Sequence, residues 1–231
     1  MASPLVLLPG LMCDSRVWAA QLAALDDVQP WSPDGYGDAA TITAMAEHVL
    51  AKAPPRMALA GHSMGARVAL EVLRLAPERI ERLALLDTGV HPQRTGEREK
   101  RVALLDLGRA HGMEAMVDAW LPPMVHPSRR SDAAFLAPMR TMCIEAGLAA
   151  YERQMEALLA RPDATAALAL VKVPTLLGVG RQDEWSPVPQ HEAIAAQLPD
   201  ARLTVFEDSG HMAPVEAADQ VNHALRQWLT A

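Results

Sequence analysis

The pentapeptide Gly61-His62-Ser63-Met64-Gly65 stands between a short apolar run, residues 57–60, and a helix-like stretch, residues 66–75. This order predicts a strand, a tight turn and a helix. The glycines two positions before and after Ser63 leave room for a strained bend that lifts the serine oxygen out of the sheet. The helix N-terminus favours negative charge near that oxygen. The pattern favours a nucleophilic serine, with a chance occurrence of G-x-S-x-G as the alternative.

In this setting the pentapeptide resembles the nucleophile elbow of the α/β-hydrolase superfamily. Near the N-terminus an apolar run ends in Pro9-Gly10-Leu11, where the family usually has His-Gly followed by a hydrophobic residue. The resemblance implies that the backbone N–H groups of Leu11 and Met64 form the oxyanion hole. Pro9 departs from the family pattern, but both donors are main-chain groups, so this change need not remove the hole.

Alternating apolar runs and helical patterns predict an α/β fold with a doubly wound, mostly parallel sheet of about six strands. In the superfamily an antiparallel strand pair precedes the first of these strands, and here only a few residues do. We therefore expect that N-terminal strand pair to be missing. Ligands bind outside the carboxyl ends of the strands in such sheets. The predicted strands are residues 5–8, 28–31, 57–60, 80–86, 173–180 and 201–206.

Residues 91–169, which we call the cap segment, show helical patterns and no strand signal. The predicted helices are residues 97–111, 113–121, 131–146 and 148–159. By the family resemblance this insertion is an all-helical cap over the strand ends. The predicted division is an α/β-hydrolase core of residues 1–90 and 170–231, with a cap of residues 91–169. A plain helical extension of the core is the alternative.

Ser63, Asp183 and His211 each follow a predicted strand, and the order Ser, Asp, His is the one the superfamily uses. Because parallel strands end at one edge of the sheet, the three loops can meet there. His211 would take the Ser63 proton, and Asp183 would fix the imidazole tautomer. Taken singly, Asp183 could instead cap a helix and His211 could be an ordinary loop histidine. Asp87 also follows a strand and is the runner-up acid.

Three large side chains are the substrate-pocket candidates. Trp120 comes from the cap segment, while Trp185 and Met212 stand next to the predicted acid and histidine. Most methionines of the cap segment lie at helical spacing and are expected in the core. His62 is expected to be a packing or hydrogen-bonding neighbour of the nucleophile.

Composition narrows the class of partner. Half of the 231 residues are apolar, which allows one sizeable core, and the net charge is −7. An acidic chain without a dense Lys/Arg stripe predicts no nucleic-acid or membrane partner and favours a small molecule. Homo-oligomerisation is left open. Residues 5–8 are too short for a signal sequence, so the expected location is cytoplasmic.

The sequence predicts neither a cofactor nor a metal. Cys13 and Cys143 lie far apart, which gives no disulfide framework and no metal-ligand spacing. No His/Cys/Asp/Glu cluster has zinc spacing, and no G-x-G-x-x-G follows a strand. Two buried, reduced thiols are the expectation.

These features favour a serine esterase that acts on a small, mainly apolar carboxylic ester. Lactones, thioesters and carbon–carbon bonds beside a ketone suit the same activated serine and remain alternatives. A serine at position 63 disfavours aspartate-nucleophile dehalogenases and epoxide hydrolases. An alternative of another class is a small-molecule receptor or regulatory partner that retains the triad.

Overall fold

The computed structural model describes residues 3–230, so Met1, Ala2 and Ala231, which the predicted core includes, lie outside the described residues. Within this range a sheet of five strands has the same order in space as in sequence, and every neighbouring pair is parallel. The residues of β1, β2 and β4 are all buried, as their apolar runs predict. The strands are β1 (Leu5–Leu8), β2 (Met57–His62), β3 (Ile80–Leu86), β4 (Thr175–Gly180) and β5 (Ala201–Phe206).

Helices connect the strands and flank the sheet. Helix α3 packs on β2 and against α2, while α10 contacts β4, β5 and α1. This arrangement confirms the predicted doubly wound α/β fold. The helices are α1 (Ala19–Ala24), α2 (Ile42–Leu50), α3 (Met64–Leu75), α4 (Glu97–Trp120), α5 (Ala133–Ala146), α6 (Leu148–Leu159), α7 (Thr165–Leu168), α8 (Val188–Ala195), α9 (Ala213–Glu216) and α10 (Ala218–Thr230).

The prediction of a strand over residues 28–31 is wrong. Only Trp31 pairs with the sheet, through an isolated parallel bridge to Val6 in which its N–H and C=O both bond to β1. Gln29 has a left-handed backbone with φ of 50°, and Pro30 has no N–H to donate. A regular ladder cannot continue through these two residues, so the sixth strand is reduced to one residue.

The cap segment is helical, as predicted, and contains α4 to α7 between β3 and β4. The two helices predicted over residues 97–111 and 113–121 form one helix, α4, which is kinked at Gly112 with φ of 87°. Helix α4 packs against α5 and α6. The division of the chain into core and cap domains stays a prediction. None of the helices in residues 3–230 has the length and apolar character needed to cross a membrane.

Candidate active site

The turn after β2 holds Ser63 in a strained backbone conformation. Its φ is 54° and its ψ is −115°, a combination that residues other than glycine rarely adopt. Two hydrogen bonds maintain this conformation: the Ser63 N–H donates to the Leu86 carbonyl at 2.8 Å, and the Thr88 hydroxyl donates to the Ser63 carbonyl at 3.0 Å. Strain that persists because its surroundings enforce it is common at functional sites.

The two glycines of the pentapeptide are required by close approach. A Cβ on Gly61 would lie 2.4 Å from the backbone of Gly65. A Cβ on Gly65 would lie 2.2 Å from the Leu8 carbonyl oxygen. Both distances are far below van der Waals contact, so only glycine lets α3 begin this close to β1 and β2.

Two loops at the same edge of the sheet bring Asp183 and His211 together. Gln182 and Ser209 exchange hydrogen bonds between these loops, from the Gln182 N–H to the Ser209 carbonyl at 2.8 Å and from the Ser209 N–H to Gln182 Oε1 at 3.1 Å. His211 Nδ1 then lies 2.8 Å from Asp183 Oδ2, and His211 Nε2 lies 2.8 Å from Ser63 Oγ. The three predicted residues are therefore connected by two short hydrogen bonds.

The surroundings of Asp183 favour an ionised carboxylate. Its Oδ1 accepts hydrogen bonds from the amides of Trp185 at 2.8 Å and Ser186 at 2.9 Å. Burial acts to raise the pKa of Asp183, but His211 and these amides outweigh it and lower the pKa below its ordinary value. Because a carboxylate only accepts, His211 Nδ1 carries the hydrogen, which leaves Nε2 to accept from the Ser63 hydroxyl.

Asp87 and His62 lie beside the site without touching the His211 ring nitrogens. Asp87 Oδ1 accepts from the Gly180 N–H at 2.9 Å, and burial raises the pKa of this carboxyl well above its ordinary value. His62 Nε2 donates to the His211 carbonyl at 2.7 Å, and burial lowers the pKa of His62 to about 3. His62 is therefore neutral near pH 7, and Asp87, which has no bond to the imidazole, does not take the place of Asp183.

The loop after β1 approaches the elbow closely. A Cβ on Gly10 would lie 3.4 Å from Ser63 Cβ, and Leu11 and Met64 line the same cavity as Ser63. Within residues 3–230 no protein acceptor pairs with the Leu11 or Met64 amide. These two N–H groups are thus free to donate to an oxygen bound beside Ser63.

Two polar side chains that the sequence predictions missed hold this loop. Gln154 of α6 accepts from the Met12 N–H through Oε1 at 2.8 Å, and the Tyr36 hydroxyl donates to the Pro9 carbonyl at 2.8 Å. Both side chains are buried. Gln154 lies on a helix face that is otherwise apolar, and this polar interruption is the signal that could have identified it.

Glu216, also missed, holds the histidine loop. Its Oε1 accepts from the Gly210 amide at 2.9 Å and the Met212 amide at 3.2 Å, and its Oε2 accepts from the His126 amide at 2.6 Å. The His211 N–H donates in turn to the Met124 carbonyl of the cap segment at 2.7 Å. Backbone bonds to the cap segment thus fix the loop that carries the imidazole.

A cavity of about 430 Å³ opens onto Ser63 and His211. The three pocket candidates, Trp120, Trp185 and Met212, all line it, and Trp185 is 45% exposed. The part of the chain that is described contains no group of three His, Cys, Asp or Glu side chains arranged to hold a metal ion.

The sequence matches the model of the alpha/beta hydrolase family over residues 5–224. The chain therefore belongs to the α/β-hydrolase family. One relative, the pimeloyl-[acyl-carrier protein] methyl ester esterase of Aromatoleum aromaticum, is 31% identical over an alignment of 230 positions that covers 90% of this chain and 90% of the relative.

Two solved structures are similar along the whole chain. A thermophilic esterase from Thermogutta terrifontis, with malate bound, has a TM-score of 0.89 and 29% identity and is matched over 100% of this chain and 90% of its own. The enol-lactonase from Burkholderia xenovorans has a TM-score of 0.85 and 26% identity, over 100% of this chain and 93% of its own. Hydrolases of esters and of a lactone thus share this fold.

Proposed function

We propose that the protein is a serine carboxylesterase in which Ser63 is the nucleophile, His211 the general base and Asp183 the residue that orients the imidazole. One observation carries this proposal. Asp183, His211 and Ser63 form a hydrogen-bonded series. The distance is 2.8 Å from Asp183 Oδ2 to His211 Nδ1 and 2.8 Å from His211 Nε2 to Ser63 Oγ. Asp87, the other acid considered, has no bond to this imidazole.

In the acylation step, Ser63 Oγ attacks the ester carbonyl carbon while His211 Nε2 takes the hydroxyl proton. The imidazolium that forms is stabilised by the Asp183 carboxylate. As the tetrahedral intermediate collapses, His211 returns the proton to the departing alcohol and leaves the acyl group on Ser63. A positioned base and an adjacent nucleophile are the requirements for this covalent route.

The Leu11 and Met64 amides act on the negative oxygen of the intermediate. Their N–H groups and the N-terminus of α3 stabilise charge that exists only along the reaction, which lowers the barrier. Water then attacks the acyl carbon, with His211 again as base, and releases the acid. The same groups therefore serve both steps.

The choice of an ester rests on the likeness to two esterases and on the size and lining of the cavity. A volume of about 430 Å³ is near the lower end for small-molecule pockets. Beside Ser63 its walls are largely apolar, with contributions from Leu11, Met64, Trp120 and Met212. A small ester with an apolar chain fits these walls.

Lactone hydrolysis is the second candidate, because the likeness to the Burkholderia enol-lactonase covers the whole chain. The chemistry is the same, except that the alcohol group released when Ser63 attacks the lactone stays covalently attached to the acyl group.

A substrate panel tests the proposal. Wild type should hydrolyse short p-nitrophenyl esters, and Ser63→Ala should lower kcat/KM by about a thousandfold or more. Ser128→Ala, at an exposed serine of the cap segment, is the matched control and should behave as wild type. Turnover of lactones but not of linear esters would favour the second candidate. Ligand binding without turnover of any substrate would instead indicate a receptor.

A further inference from the structure

Arg67 is a buried cation on the elbow helix that the mechanism does not use. It lies four residues after Ser63 in α3, where residues 64–73 are all buried, and it is 8% exposed. Its Nη1 is buried and has no hydrogen-bond partner, and no carboxylate in residues 3–230 forms an ion pair with it. Buried charges are ordinarily paired, so this guanidinium requires an explanation.

Two carboxylates near Arg67, those of Glu97 and Glu71, already pair with other arginines. Glu97 binds Arg161 through two contacts of 2.7 Å and Arg101 through one of 3.0 Å. Glu71, one turn further along α3, binds Arg74 at 2.8 Å through both of its carboxylate oxygens. Glu97 and Asp163 lie near enough to act on the charge of Arg67, but within the described residues neither forms an ion pair with it.

Arg67 lines the same cavity as Ser63 and His211. Burial, and next the charge of Arg161, lower the pKa of Arg67 to about 9, and the charge of Glu97 offsets only part of this. Arg67 also lines a second cavity, with Glu71 and Asp163, that does not include Ser63. Its side chain therefore borders the space in which the reacting serine lies, as well as this second cavity.

The charged lining of this cavity is predominantly basic, although the whole chain carries −7. The acidic side chains that line it are Glu97, Glu184 and Asp87, and burial raises the pKa of the Asp87 carboxyl well above its ordinary value. Positive charge concentrated in a cleft attracts anions and raises their local concentration. The basic lining residues are Arg67, Arg94, Lys100, Arg101 and Arg161.

We propose that Arg67 binds a free carboxylate of the substrate, so that the preferred substrates are half-esters of dicarboxylic acids. A guanidinium presents paired N–H groups that match the two oxygens of a carboxylate, and a single unpaired cation matches a single negative charge. This inference rests on the proposed esterase function and refines it. The apolar chain of the substrate runs along Trp120 and Leu158, and its charged end meets Arg67.

The distance from Ser63 Oγ to the Arg67 guanidinium, rather than the rise of α3, sets the length of such a substrate. A flexible spacer of about four carbons serves as the starting length for the test, and half-esters with shorter and longer spacers bracket it. Monomethyl adipate and methyl hexanoate form a matched pair, because they share chain length and scissile bond and differ only in the terminal carboxylate.

The test is the ratio of kcat/KM for monomethyl adipate to kcat/KM for methyl hexanoate. We expect wild type to favour the half-ester by about tenfold or more, and Arg67→Met to lower the ratio by about ten- to a hundredfold. Arg67→Lys should restore part of it. Arg226→Met removes an exposed arginine that pairs with Asp27 and lines no part of this cavity, and it should keep the wild-type ratio.

A wild-type preference for methyl hexanoate, or an equal ratio in wild type and Arg67→Met, would overturn the carboxylate site. Ser63-dependent hydrolysis of p-nitrophenyl acetate, measured in parallel, separates this failure from failure of the esterase proposal. If no ester is hydrolysed, adipate is tested as a ligand by thermal shift. Stabilisation of wild type but not of Arg67→Met would support the site, and equal or absent stabilisation would contradict it.

Discussion

The carboxyl edge of the sheet and the cap segment border one cavity, but they contribute different kinds of groups. The sheet edge supplies the side chains of the proposed reaction, Ser63, Asp183 and His211, each in a loop directly after a strand. The cap segment supplies acceptors for backbone amides, namely the Gln154 side chain and the Met124 carbonyl. The reacting groups are therefore set by short loops, and their orientation depends on distant helices.

This difference separates two kinds of sensitivity. A change at the sheet edge removes a group that takes part in bond making, whereas a change in the cap segment leaves the group present but less well positioned. We expect the first kind to reduce the rate by orders of magnitude and the second kind to reduce it by about tenfold.

Asp183→Asn should have the largest effect of the variants considered in this comparison. An amide can no longer hold the imidazole in the required tautomer, so kcat for a p-nitrophenyl ester should fall by about 10³- to 10⁴-fold. Asp87→Asn is the matched change at the other buried aspartate. Because the oxygen of an asparagine side chain can still accept from the Gly180 N–H, its kcat should stay within about threefold of wild type. The opposite ranking would make Asp87 the functional acid.

Gln154→Leu tests the contribution of the cap segment. This variant keeps the volume of the side chain but leaves the Met12 amide without its acceptor, next to the Leu11 amide of the proposed oxyanion hole. The loss of one hydrogen bond to a buried amide should lower kcat by about tenfold, with a smaller effect on KM. Gln154→Glu keeps an acceptor oxygen and should recover most of kcat. If Gln154→Leu has the kcat of wild type, the cap segment does not position this loop.

The smallest expected effect is on the pH dependence of folding stability. Burial lowers the pKa of His191 from 6.5 to about 4, and its Nε2 accepts from the Thr88 N–H. As the pH falls, His191 takes up a proton in the unfolded chain before it does so in the folded protein. The stability that depends on neutral His191 is therefore fully present above pH 6.5 and is lost as the pH falls towards 4. His62 acts in the same direction.

Urea unfolding between pH 7.5 and 4 checks this interpretation. As the pH is lowered, the free energy of unfolding should fall less steeply in His191→Gln than in wild type. The difference between the two slopes should be about 1.4 kcal/mol per pH unit in the lower part of that window. Identical slopes would show that His191 does not stay neutral in the folded protein.

The sequence predicted the parts of the molecule that depend on local chemistry. Apolar runs locate all five strands, and the glycines around Ser63 identify the elbow. The positions just after predicted strands also indicate Asp183 and His211, and in the structure Asp183 Oδ2 lies 2.8 Å from His211 Nδ1. The wrong prediction of a strand over residues 28–31 also has a local cause. The apolar pattern gives no sign that Gln29 has a left-handed backbone and that a proline follows it.

The missed residues depend on contacts between distant parts of the chain. Gln154 and the Met12 amide are 142 positions apart, and no periodicity links them. Glu216 reaches the His126 amide across 90 positions. Arg67 could have been noticed as a charge within an apolar helix, but its lack of a partner depends on which arginines occupy Glu97 and Glu71. Such pairing is decided only when the chain has folded.

Covalent labelling tests the central claim most directly, namely that Ser63 is an activated nucleophile. Wild type and Ser63→Ala would be treated with a fluorophosphonate and examined by intact mass and peptide mapping. We predict one label per wild-type chain, in the peptide that contains Ser63, and none in Ser63→Ala. An unlabelled wild type, or a label that persists in Ser63→Ala, would contradict the claim.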